Sequence, residues 1–322
     1  MKRCPNNNNQ IYKNDSVEFR SAKQVFEDFA SEKIAYGLSD KTLTTYRNHF
    51  NFFIKSMGVD DIDIRDISTK TYNDFIKYMK TRNVSDSTIQ SYANSLRSFF
   101  NWAFENGELF YNVHIPMRKA QGKIKQTYTD EELSVLLKKP SLSDCSFTEY
   151  KIWVLENLLS CTGLRISSSL NIRVGDVRFD DCSILINQTK NKRPFITYFN
   201  EDMKRILQEY LKYRRPDSSA DYLFCRDDGK QITRRTVQQE IAHYNKSRKV
   251  SKTSAHLFRH TFARNSILSG LDVFTLMSML QHSNISTTYK YLRTLGLDVK
   301  ERVNVYNPQQ RFVNSNQKRK MR

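Results

Sequence analysis

The spacing of apolar residues constrains the fold of this 322-residue chain more than any other feature. Between residues 21 and 110, large apolar side chains recur every three or four positions, which is the period of an amphipathic helix. The pattern falls into four segments, with apolar residues Val25, Phe26, Phe29; Leu43, Tyr46, Phe50, Phe53; Tyr72, Phe75, Ile76, Met79; and Ile89, Tyr92, Leu96, Phe99, Phe100. This part of the chain is therefore predicted to form four helices around a shared core.

Two of these helices begin with nearly the same sequence, 46 residues apart. The first reads SDKTLTTY from Ser39 and the second SDSTIQSY from Ser85. Serine is a preferred N-cap, because its hydroxyl accepts a hydrogen bond from an unpaired N–H of the first turn. We expect a helix to begin at each serine, and the repeat predicts two similar helical hairpins that pack together.

The pattern changes after residue 117. A polar, basic stretch reads as an interdomain linker, and the capping box that starts at Thr129 opens a new helix. Further on, helices flank two short β-type runs, 183–187 and 195–199. The predicted fold is mainly α, with these parts: a polar extension 1–20, a helical domain 21–117, a linker 118–127, a mixed α/β domain with a small antiparallel sheet 128–296, and a C-terminal segment with a basic tail 297–322.

The charge of the chain indicates a polyanionic partner. Lys and Arg number 52 against 34 Asp and Glu, which gives a formal charge of +18. No dense basic run faces an apolar stripe, so nucleic acid is favoured over a membrane surface. No signal peptide is recognisable, and the five scattered cysteines contain no C-x-x-C pair. We expect a cytoplasmic protein without a metal site.

Three segments of the second domain carry candidate functional side chains. Arg165 lies in CTGLRIS, His256 and Arg259 lie in HLFRHTF, and His282 and Tyr291 lie in QHSNISTTYKY. Taken singly, each has a plain structural interpretation. Arg165 could form a buried ion pair, the H-x-x-R spacing also occurs by chance, and a tyrosine within a helix usually packs against a core.

Taken together, the three segments resemble the tyrosine recombinases, the phage integrase family. The family pattern T-G-L-R-[IV]-S, then H-x-L-R-H, then L-G-H-x-x-[IV]-x-T-T-x-x-Y occurs here in the same order, with spacings like those of the family. Three positions depart from the pattern. Ser168 stands where an acidic residue is usual, Gln281 replaces a glycine, and Phe258 replaces a leucine.

The resemblance implies a role for each matching residue. Tyr291 would be the nucleophile, assisted by the remaining members of the site, Arg165, His256, Arg259 and His282. The family adds a lysine on a β-hairpin that acts as general acid. Lys190 is preferred for this role, and Lys192 is the alternative. The family needs no cofactor, and Arg pairs can compensate charge on a phosphodiester without a metal.

The resemblance also implies the partner and the assembly. The two domains would close as a clamp around double-stranded DNA, with Lys123, Lys125 and Lys192 as DNA contacts. Four protomers would assemble on paired DNA sites, with accessory proteins where the reaction requires them. The expected function is site-specific recombination through a 3′-phosphotyrosine, for integration and excision of a mobile element or for resolution of replicon dimers. The alternatives are an inactive DNA-binding protein of the same fold and an enzyme similar to type IB topoisomerases.

Overall fold

The computed structural model describes residues 20–116, 126–187 and 194–281. The chain divides into two compact units between Gly122 and Lys123, and we describe each unit by itself. Within the described ranges, no helix has the length and apolar character needed to cross a membrane.

The N-terminal unit contains the four predicted helices. They are α1 (Ala22–Ala35), α2 (Asp40–Ser56), α3 (Thr69–Thr81) and α4 (Asp86–Glu105). The predicted N-caps are confirmed, because the hydroxyls of Ser39 and Ser85 accept hydrogen bonds from the backbone N–H groups of Thr42 and Thr88. A short 3-10 turn, Ile64–Asp66, connects α2 to α3.

Phenylalanine rings dominate the core of this unit. Phe26 stacks on Phe50 with ring centroids 4.5 Å apart, and Phe99 meets both rings edge-on. The two helices with similar starts, α2 and α4, pack against each other. At the margin of the core, Tyr92 stacks on His49 with centroids 3.9 Å apart. The predicted apolar faces are therefore confirmed as the faces that meet.

The C-terminal unit is mixed α/β, as predicted. Its helices are α5 (Asp130–Leu136), α6 (Phe147–Thr162), α7 (Ile166–Ser169), α8 (Glu201–Arg214), α9 (Arg234–Ser247), α10 (Ala255–Leu268) and α11 (Val273–Met279). The strands β1 (Val177–Arg178), β2 (Ser183–Ile186) and β3 (Phe195–Tyr198) form an antiparallel sheet in that order. In the register, Ile184 lies opposite both Val177 and Thr197.

Helix α6 is the central element of this unit, since α8, α9 and α10 all pack against it. Its residues are therefore buried on most sides, from Tyr150 to Leu159. A second, smaller apolar cluster lies between the end of α10 and α11, and it consists of Ala263, Ile267, Leu276 and Leu280. Thus α11 is attached to the unit mainly through α10.

A carboxyl group lies inside the main core. Glu156 of α6 is fully buried, and neither of its oxygens has a hydrogen-bond partner among the described residues. Burial disfavours the charged form, so it raises the pKa of Glu156 well above the ordinary value. Burial therefore favours the neutral form of Glu156.

This raised pKa predicts a specific pH dependence of stability. Folding favours the neutral form of Glu156. The stability that this preference adds is fully present below the pKa of Glu156 in the unfolded chain, and it is lost as the pH rises through the raised pKa of the folded state. Glu156→Gln, which cannot ionise, should melt at a higher temperature than wild type at pH 8. The difference should shrink on acidification to pH 4. Thermal melts between pH 4 and pH 8 measure this difference in melting temperature. A difference that stays constant over this range would refute a buried neutral acid at residue 156.

Candidate active site

The turn that carries Arg165 is shaped by a glycine. Helix α6 ends at Gly163, whose backbone is left-handed with φ +63°, and Arg165 follows as the half-buried N-cap of α7. A Cβ atom at residue 163 would lie 2.4 Å from Phe262 Cδ1 of α10 and 3.0 Å from Leu280 Cδ2. Only glycine combines the left-handed conformation with so close an approach. The turn therefore packs directly on α10 and on the end of α11.

Arg259 joins all three motif segments. Its side chain lies on α10 and is only 3% exposed. Nη1 donates a hydrogen bond to the carbonyl oxygen of Gly163 at 2.8 Å, and Nη2 donates to the carbonyl oxygen of Leu280. Leu280 is two residues before His282. One guanidinium thus connects the Arg165 turn, the helix of His256 and the chain that leads to His282.

His256 lies one turn before Arg259 but nearer the surface. It is exposed in the first turn of α10, where the Ser254 hydroxyl caps the helix and accepts a hydrogen bond from the His256 N–H at 3.4 Å. Its ring meets the ring of His260 edge-on, with centroids 4.4 Å apart. The two residues lie one turn apart on α10 but differ in depth, since His256 is exposed and Arg259 is buried.

The other predicted site residues, Lys123, Lys125, Lys190, Lys192, His282 and Tyr291, lie outside the described residues. The elements next to the lysine hairpin and the chain directly before His282 are described. Strands β2 and β3 pair in register on either side of residues 188–193, as expected for the hairpin with the candidate lysines. The described chain ends at Gln281, directly before His282.

The structure also shows a polar surface that sequence reasoning missed. The side chains of Arg234, Arg235, Gln238 and Gln239 are exposed on α9 and line an open groove. Within the described part of the chain, none of the four makes a hydrogen bond or an ion pair. We call this set the α9 outer face. The sequence contains a signal for this surface. The segment RRxxQQ follows the threonine N-cap of α9, and the first turn of the helix has no acidic residue.

Among the described residues, no carboxylate compensates the charge of this face, and the reason is structural. The sole carboxylate in the α9 sequence, Glu240, faces inward, where its Oε2 lies 3.3 Å from Nζ of the buried Lys151. On α8, in contrast, Lys204 and Arg205 pair with Glu201 and Asp202 at 3.6 and 3.4 Å. Arginines at the positive end of a helix are electrostatically unfavourable, so the α9 outer face suits an anionic ligand.

Family profiles match both units of the chain. Residues 127–295 match the phage integrase family, and residues 21–115 match the phage integrase SAM-like domain. Because the first match alone spans more than half of the chain, the protein belongs to the phage integrase family, the tyrosine recombinases. The fold described above is therefore that of a site-specific recombinase family.

Individual relatives agree with this assignment. The tyrosine recombinase XerC of Staphylococcus aureus (strain JH9) is 25% identical over 264 residues, which cover 80% of this chain and 88% of the relative. Among solved structures, the Tn1549 transposon integrase in complex with a circular intermediate DNA aligns with a TM-score of 0.69 at 20% identity, covering 83% of this chain and 93% of the integrase. A lambda integrase tetramer bound to a Holliday junction aligns with a TM-score of 0.68 at 16% identity, covering 86% and 78%. At these identities the solved structures show a shared fold.

The Gly163 turn generates a stability prediction. Gly163→Ala adds a methyl group in a left-handed conformation and against Phe262, so it should cost roughly 2–4 kcal/mol through backbone strain plus overpacking. Gly229→Ala is the matched control. Gly229 has φ +75° but open space around its Cβ position, so it should lose only about 1–2 kcal/mol. Chemical denaturation of both variants measures the difference, and equal losses would show that the turn can move away from α10.

Proposed function

We propose that this protein is an active site-specific DNA recombinase that cleaves and rejoins DNA strands through a 3′-phosphotyrosine on Tyr291. The observation that carries the proposal is the Arg259 guanidinium, whose hydrogen bonds join the Arg165 turn, the His256 helix and the chain entering His282. We propose that a phosphodiester binds where these segments meet, with Arg165, Arg259 and His256 as its hydrogen-bond donors. Such groups stabilise the charge that develops on the non-bridging oxygens during transesterification.

The proposed reaction exchanges one phosphodiester bond for another. The Tyr291 hydroxyl releases its proton to solvent as its oxygen attacks phosphorus, a tyrosine–phosphate bond forms, and the bond from phosphorus to the 5′ oxygen breaks. Lys190, or Lys192 in its place, gives a proton to the departing 5′ oxygen. The covalent intermediate conserves the bond energy. A 5′-hydroxyl can therefore reverse the step and rejoin the strand without ATP.

The α9 outer face is our candidate for the DNA contact next to the cleavage point. Its groove is bordered by Thr253 and Ser254, and Ser254 caps α10, the helix whose second residue is His256. A duplex with its scissile phosphate at His256 would pass over Arg234, Arg235 and the two glutamines. Arg can read guanine and Gln can read adenine in the major groove. Lys123, Lys125 and Lys192 are proposed as further contacts.

We propose that four protomers assemble on two DNA sites, in the same number as in the lambda integrase tetramer that is bound to a Holliday junction. Two biological roles fit the same chemistry, integration and excision of a mobile element or resolution of replicon dimers. The DNA that borders the gene separates them. Attachment sites at element ends would indicate the first role, and inverted repeats about a short spacer at a replicon site would indicate the second.

Tyr291→Phe should abolish the covalent protein–DNA adduct while DNA binding stays close to normal, because only the nucleophilic oxygen is removed. The substrate is a nicked duplex with the bordering repeat, or with the sequence that wild type selects from random duplexes. Denaturing gels detect the adduct, and mass spectrometry identifies the DNA-linked tyrosine.

Tyr289→Phe is the control, since in the helix that the sequence predicts here two positions correspond to a rotation of about 200°. An adduct that survives in Tyr291→Phe and vanishes in Tyr289→Phe would transfer the role to Tyr289. A wild-type protein that binds the site without any adduct would be an inactive DNA-binding protein. Relaxation of supercoiled DNA that lacks the site would favour the topoisomerase alternative.

The α9 outer face predicts a change in salt dependence. Replacing both Arg234 and Arg235 by Ala should weaken binding to duplex DNA and make the plot of log affinity against log salt shallower by about 0.9 for each phosphate that is no longer neutralised. The control replaces Lys204 and Arg205 of α8 by Ala, which removes the same net charge from residues with intramolecular partners. Equal slopes for the two double variants would exclude α9 as a phosphate contact.

A further inference from the structure

The first residues after the predicted linker are bonded to the segment that carries His256 and Arg259. Lys252, three residues before α10, donates from Nζ to the carbonyl oxygen of Thr127 at 2.9 Å and to Glu132 Oε2 at 2.7 Å. Glu132 in turn accepts from the Thr129 N–H in the capping box. The start of the C-terminal unit is therefore tied to the loop that leads into α10.

Tyr128 makes the most contacts in this connection. Its backbone N–H donates to Thr261 Oγ1 of α10 at 2.9 Å, and its hydroxyl lies 3.4 Å from the carbonyl oxygens of Lys252 and Ser254. Its ring centroid is 4.6 Å from that of Phe258. The side chain is almost completely buried. Tyr128 thus contacts the chain before His256 and, through its backbone and ring, the two turns of α10 around Arg259.

The hydroxyl of Tyr128 also has a donor on a third element. The buried Asn245 of α9 donates from Nδ2 to the Tyr128 hydroxyl at 3.1 Å and to the Lys252 carbonyl oxygen at 2.8 Å. Burial raises the pKa of Tyr128, so the hydroxyl keeps its proton and can donate to the loop at any physiological pH. The loop 252–254 is held between Tyr128 and Asn245.

We infer that Tyr128 is a positioning residue for recombination, whose hydroxyl fixes the loop 252–254 and thereby the start of the helix that carries His256 and Arg259. The inference rests on the proposed function. Because Tyr128 directly follows the predicted linker 118–127, a pull on the linker would also reach α10 through the Thr261 and Lys252 bonds. The start of the C-terminal unit would then be coupled to the loop before His256 through the backbone of residues 127 and 128 and through the Tyr128 side chain.

A second tyrosine of the same core separates positioning from ordinary packing. Tyr244 is also almost fully buried, and its hydroxyl donates to the carbonyl oxygen of Leu136 at the end of α5, at 2.9 Å. Replacing either tyrosine by Phe keeps the ring and removes one buried hydroxyl. The two variants differ in what the hydroxyl holds, the loop before His256 or the end of α5.

The experiment compares Tyr128→Phe, Tyr244→Phe and wild type in the full-length protein, on the nicked substrate at saturating protein. Tyr128→Phe should lower the single-turnover rate constant for adduct formation by about tenfold, since small displacements of catalytic groups have such effects, while Kd stays unchanged. Tyr244→Phe should lose similar thermal stability and cleave like wild type. Amide hydrogen exchange of residues 255–261 should accelerate in Tyr128→Phe only.

The outcomes separate the two proposals. If wild type forms no adduct, the proposed function fails, whereas the exchange measurement still tests whether Tyr128 holds α10. If wild type forms the adduct and Tyr128→Phe forms it at the same rate, the positioning role is overturned. Equal slowing of both Phe variants would likewise assign the effect to reduced stability and overturn the inference.

Discussion

The buried guanidinium of Arg259 is the interaction on which the site depends. Removing a charge from water is costly unless the protein provides partners. Here the carbonyl oxygens of Gly163 and Leu280 accept its hydrogen bonds, and both follow the last turn of a helix, α6 and α11. Helix C-termini carry unpaired carbonyl groups and partial negative charge. These two helix ends therefore stabilise the buried cation.

This arrangement explains why local sequence predicted some features and missed others. The helices of the N-terminal unit were predicted correctly because spacing and caps such as Ser39 and Ser85 are local signals. The family pattern identified Arg259, but spacing alone could not identify its partners. They are backbone carbonyls of residues 96 and 21 positions away, and they approach only because Gly163 admits Phe262 and Leu280 into close contact.

The missed residues have a different explanation. An exposed polar helix face reads as a solvated surface, and only the inward turn of Glu240 toward Lys151 shows that the arginines of α9 lack a compensating carboxylate. Tyr128 belongs to no motif that we recognised. Its contacts with Thr261 and Lys252 lie more than 120 positions away and depend on how α9 and α10 pack. Such contacts cannot be identified from local sequence.

The buried acid of α6 completes the electrostatic argument. Glu156 lies seven residues before Gly163, about 10 Å along the helix axis. A carboxylate there would act across a medium of low dielectric and reduce the positive potential at Arg259. The burial that raises the pKa of Glu156 disfavours that negative charge. Because the same burial favours the neutral carboxyl, α6 meets Arg259 with the partial negative charge of its C-terminal end.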